Sequence, residues 1–90
     1  MRYGCRDANH AHIRDGLRAH GHRVLDLGDV GKGCPDLLVR HRSQAQRMRL
    51  LEVKRPGKRE DLTPAEVEFR QLWGDAVVVV ETLAEALAAL

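Results

Sequence analysis

Aromatic residues are nearly absent from this chain: one Tyr, one Phe and one Trp among 90 residues. Phe69 and Trp73 read as core, so base stacking has too few rings to dominate contact with single-stranded nucleic acid. Cysteine is scarce as well. Cys5 and Cys34 form no CxxC pair, which leaves a zinc site or a disulfide framework without support. Two free thiols in a reducing cytoplasm is the simplest reading. No signal peptide and no apolar run of membrane-spanning length is visible, so no membrane partner is expected. Repeats, linkers and low-complexity segments are also missing, and residues 1–90 read as a single domain.

A net charge of +2 by itself identifies no partner. Its distribution is uneven. From Arg40 to Arg59 there are eight basic residues and one acid, Glu52, a surplus of seven; the remaining seven basic and twelve acidic residues leave a deficit of five. A basic lobe on a near-neutral protein suits a polyanion held on one face. Its members besides Lys54 are Arg40, Arg42, Arg47, Arg49, Arg55, Lys58 and Arg59. Read alone, such a run is a solvated hairpin; its weight comes from the motif it surrounds. Five histidines invite a metal reading. His10 and His12, however, are two apart, and on a helix that spacing sends the side chains in different directions.

The element pattern is α-β-β-β-α-β-α, an α/β domain. A first helix runs from an Asp7 cap to about His20, with Ile13 and Leu17 as its apolar stripe, Gly16 weakening it and Gly21 ending it. Residues 23–28 alternate as a half-buried strand does, and 29–35 carry turn residues. Residues 36–41 and 47–54 form a hairpin around Ser43-Gln44-Ala45-Gln46. Thr63-Pro64-Ala65-Glu66 is a capping box that opens a helix with Ala65, Phe69, Leu72 and Trp73 on one face. Residues 76–80 are apolar throughout, the pattern of a central strand buried on both faces. A second box, Thr82 to Glu85, opens a short helix to Leu90.

Asp36, Glu52 and Lys54 carry the chemistry. Glu52 and Lys54 share a strand face. A hairpin tip centred on Gln44 sets residues whose numbers sum to 88 opposite each other, so Asp36 faces Glu52; a tip moved by one residue sets Asp36 opposite Lys54 and still keeps the three on one face. Facing carboxylates repel, and a pair placed this way calls for a cation. Oxygen donors suit Mg²⁺ or Mn²⁺, with the Val53 carbonyl as a further ligand. Such an ion holds a phosphate oxygen and acidifies water. Lys54 stabilises charge that develops at phosphorus or orients the attacking water.

The stretches GKGCPDLLV and LLEVKRPGKREDLTPAEVEF resemble the PD-(D/E)xK nucleases, most closely the small stand-alone VRR-NUC branch of phages and bacteria. The resemblance implies a restriction-endonuclease-like mixed β-sheet flanked by helices. It also implies Mg²⁺- or Mn²⁺-dependent hydrolysis of DNA phosphodiesters in a bacterial or phage-infected cytoplasm. Asp36 matches the motif aspartate, Glu52 the second acid and Lys54 the lysine; Gly33 and Pro35 match the preceding turn. Branched-DNA members of the family act as homodimers. Many relatives have a helix-1 glutamate where this chain has His12, whose open roles are a phosphate contact, a softer metal, or none. Relatives also carry a glutamine that aligns with Glu66. Glu66 either replaces it or serves only the capping box, and Gln71 is a fallback. These departures keep a second reading open, a nucleic-acid-binding module of the same fold with weakened catalysis. A third is a structural or partner-binding domain. The small core and the apolar last helix point to a two-fold homodimer.

Overall fold

The computed structural model describes residues 9–90, so Cys5 and the expected cap Asp7 lie outside it. In chain order the elements are α1 (His10–Ala19), β1 (Arg23–Asp26), β2 (Leu37–Arg40), β3 (Met48–Val53), α2 (Pro64–Trp73), a 3-10 turn (Gly74–Ala76), β4 (Val77–Val80) and α3 (Leu83–Ala88). Four strands make one sheet in the order β1-β2-β3-β4. The first three are antiparallel neighbours, and β4 joins β3 in parallel. Parallel neighbours need a crossover between them, and α2 supplies it. The protein is thus a small α/β domain with a mixed sheet flanked by helices.

The hairpin register follows from its apolar pairs. Leu37 lies opposite Leu51, Leu38 opposite Leu50 and Val39 opposite Arg49, the pairing set by a tip centred on Gln44. A one-residue slip would turn Leu37 and Val39 away from the core.

Ile13, Leu17, Leu37, Val39, Leu51, Val53, Val80, Ala86 and Leu90 pack into the core cluster. On the strands these side chains share the sheet face covered by α1 and α3. Gly16 lets those two helices approach: a Cβ there would lie 2.6 Å from Leu83 Cδ2. The glycine that weakens α1 locally is therefore what α3 packs against. The last helix lies on its own domain, with Ala86 fully buried and Leu83 and Leu87 partly buried against the core.

Several expectations are corrected. The all-valine strand β4 is at an edge of the sheet, not in its centre. It reads as central because both its faces are covered: Val80 by the core, Val77 and Val79 on the opposite side. Nor does α2 bury an apolar face. None of its residues is fully buried, Leu72 is 78% exposed and Trp73 56% exposed. Phe69 stacks on Trp73 with ring centroids 5.2 Å apart, so the two rings cover each other rather than filling a core. Among the described residues no helix is long and apolar enough to cross a membrane.

Candidate active site

Three elements deliver polar side chains to one end of the sheet. Asp36 sits just before β2, Glu52 is the penultimate residue of β3, and Lys54 follows β3 directly. The Asp36 amide donates to the Leu51 carbonyl at 3.0 Å, one residue out of step with the Leu37–Leu51 pairing, so the strand bulges at Asp36. In return the Val53 amide donates to Asp36 Oδ2 at 2.8 Å and fixes the carboxylate. Helix α2 brings the fourth group. Its capping box is complete, with Thr63 and Glu66 each accepting from the other's backbone amide. The same Glu66 Oε1 accepts from Lys54 Nζ at 3.0 Å. Glu66 therefore serves both the cap and the site.

The turn before β2 holds α2 in place. Gly33 has φ +79°, and a Cβ there would lie 2.3 Å from the Ala65 carbonyl oxygen. Only glycine lets the turn and the first turn of α2 touch this closely.

The electrostatics are those of crowded, buried acids. Glu52 is 5% exposed. Burial, then the charges of Asp36 and Glu66, push its carboxyl up to about 9. Asp36 is also pushed up, by burial first, against the pull of the Val53 amide and His10. Burial raises Glu66 too, but the Thr63 amide and Lys54 outweigh it and leave that carboxyl below its usual range. Lys54 Nζ lies 3.8 Å from Glu52 Oε2. One lysine thus faces two carboxyl groups, Glu52 and Glu66, and a proton on Glu52 relieves the repulsion that remains with Asp36 and Glu66. Burial raises the neighbouring Cys34 thiol as well, reinforced by the charges of Glu52 and Asp36.

The structure brings together Asp36, Glu52, Lys54 and Glu66. It does not bring in His12, which is exposed on α1, or Gln71. Gln71 lines a groove with Val67, Arg70, Gly74, Asp75 and Val77. The α1 residue directed at the site is His10, buried at 2% exposure, with Nε2 3.1 Å from Asp26 Oδ2 and Nδ1 4.0 Å from Asp36 Oδ1. Sequence reading missed it by pairing His10 with His12. The signal was present, because His10, Ile13 and Leu17 are spaced three and four apart on one helix face.

The basic run is spread along the hairpin, although Arg49 and Arg59 line one groove together with Arg70. Arg40, Arg42, Arg47 and Arg49 belong to the hairpin arms and tip, while Lys54, Arg55, Lys58 and Arg59 follow the other end of β3. At about 3.3 Å per residue, Arg42 lies about 20 Å along the strand from Asp36. Arg59 is committed internally: its amide donates to Glu81 Oε2, its Nη1 to the Val79 carbonyl at 3.2 Å and its Nη2 to Glu85. Arg55 and Lys58 are exposed beside the site. In comparisons with family models, curated proteins and solved structures, none matches this chain.

Proposed function

We propose that this domain is a divalent-metal-dependent nuclease that hydrolyses DNA phosphodiester bonds. The observation that carries the proposal is the placing of a half-buried Asp36 and a buried Glu52 at one end of the sheet beside Lys54. Burying such a pair is unfavourable for folding, and a divalent cation offsets the repulsion. Among the described residues no three His, Cys, Asp or Glu side chains are arranged around a common point as a ready-made metal cage. Mg²⁺ does not need one, since it is commonly held by one or two carboxylates with water and phosphate filling the rest. Asp36 and Glu52 fit that requirement, with the Val53 carbonyl as a further donor. When bound, the ion supplies charge neutralisation for a phosphate and a more acidic water.

The chain's own groups do the rest. Lys54 stabilises charge that develops on the phosphoryl oxygens, and Glu66 holds its ammonium in place. Arg55 and Lys58 supply phosphate contacts independent of base sequence. The resemblance to PD-(D/E)xK nucleases supports the same reading, including action as a homodimer on branched DNA. Calorimetry with Mn²⁺ tests it: wild type binds, and Asp36→Asn binds at least about tenfold more weakly. Equal binding by the two proteins would remove the site.

A further inference from the structure

His10 has a nitrogen with no partner. The residue opens α1 and is packed under the sheet, and its Nδ1 is a buried atom with no hydrogen bond. The nearest acceptor, Asp36 Oδ1, is 4.0 Å away, beyond hydrogen-bond reach. On its other side the ring is firmly held. Asp26 Oδ2 accepts from Nε2 at 3.1 Å and from Arg14 Nη1 at 3.0 Å, while Asp26 Oδ1 accepts from the Gly28 amide at 2.9 Å. Three donors converge on the Asp26 carboxylate, so the ring proton sits on Nε2 and the Nδ1 lone pair faces Asp36.

This is the arrangement that orients histidine on a metal: a carboxylate takes one ring N–H, and the other nitrogen coordinates. The spacing fits too. Two donors about 2.1 Å from one octahedral ion stand about 3 Å apart when adjacent and about 4.2 Å apart when opposed. The gap between His10 Nδ1 and Asp36 Oδ1 falls within that span.

We propose that His10 Nδ1 joins Asp36 and Glu52 as a third protein ligand, the three closing onto the ion from positions that hold no ready-made cage without it, and that this nitrogen makes the site take Mn²⁺ in preference to Mg²⁺. The proposal rests on the metal-dependent reading above and adds the identity of a ligand and of the ion. An imidazole nitrogen is a softer donor than carboxylate oxygen, so it favours first-row transition ions over Mg²⁺, which wants oxygen throughout. Asp26 and Arg14 are positioning residues: they fix the ring and touch neither ion nor substrate.

The test does not need catalysis. Pulsed EPR of the full chain loaded with Mn²⁺ detects a directly coordinated nitrogen through its ¹⁴N modulation. The modulation is expected in wild type and in His12→Gln, and is expected to vanish in His10→Gln. Calorimetry should show Mn²⁺ binding at least about tenfold tighter than Mg²⁺, with that preference reduced about tenfold in His10→Gln and in Asp26→Asn. Should His10→Gln fail to fold, the wild-type EPR signal decides alone. Suppose Mn²⁺ binds wild type without nitrogen modulation, and Asp36→Asn loses it. The His10 assignment then falls while the carboxylate site stands. If wild type binds neither ion, the metal-dependent reading falls and takes this one with it.

Discussion

Replacing Glu52 by Gln should make the metal-free protein more stable at neutral pH. The carboxyl is buried, and its folded value is about 9 against 4.5 in an unfolded chain. Between those values the folded state holds a proton that the unfolded state releases. The associated stability is fully present below pH 4.5, declines as pH rises from there, and is lost through about pH 9. Each pH unit in that window is worth at most about 1.4 kcal/mol, so the loss reaches about 3 kcal/mol near pH 7. Glutamine keeps the shape, does not titrate and stays neutral beside Asp36 as the protonated acid does, without the cost of taking up a proton. Glu52→Gln should therefore exceed wild type by up to about 3 kcal/mol at pH 7, with the gap closing towards pH 4.5. For a domain of this size that is roughly 10–20 °C in melting temperature. Thermal melts in chelator from about pH 4.5 to 8.5 measure it. Parallel curves for the two proteins, or a less stable Glu52→Gln at pH 8, would refute the view that Glu52 is a destabilising buried acid.

Lys54→Ala should lower DNA cleavage by about 100-fold or more while leaving the fold intact, because Lys54 and its partner Glu66 are both partly exposed; cleavage at the wild-type rate would end its assignment. Gly33→Ala should destabilise by about 1–3 kcal/mol and displace α2, since the new Cβ meets the Ala65 carbonyl at a positive φ. A melting temperature equal to wild type would show that the turn yields freely. The sheet face away from α1 and α3 carries the exposed side chains Leu25 and Met48, with Trp73 beside them. A homodimer through that face should sediment at about twice 10.1 kDa at micromolar concentration, and a monomer mass with and without DNA would exclude it.

The hairpin was legible because its two strands carry apolar residues at matching positions. Leu37 and Leu38 pair with Leu51 and Leu50 in the expected register, which brings Asp36, just before β2, beside the end of β3. The capping box at Thr63 was legible for the same reason, since its meaning is local. What depends on distant covering was not. Four valines look the same whether a strand has two neighbours or one. An apolar stripe such as Phe69, Leu72 and Trp73 looks like core even when the helix is tethered mainly at its start. Basic residues close in sequence stood at opposite ends of a hairpin. His10 was hidden because its partners, Asp26 and Asp36, are supplied by the sheet.

The place of β4 at the edge gives Arg59 a second meaning. The Val80 carbonyl points inward and accepts from the Lys54 amide, so its neighbour's carbonyl, at Val79, points outward. A row of valines with open backbone groups is a template on which another chain can add as a further strand. The Arg59 guanidinium sits on that outward carbonyl, anchored by Glu81 and Glu85. A strand arriving from another molecule must displace a tethered cation before it can pair. A charge that looked from sequence like part of a DNA-binding surface thus guards the protein against joining sheets with its own copies.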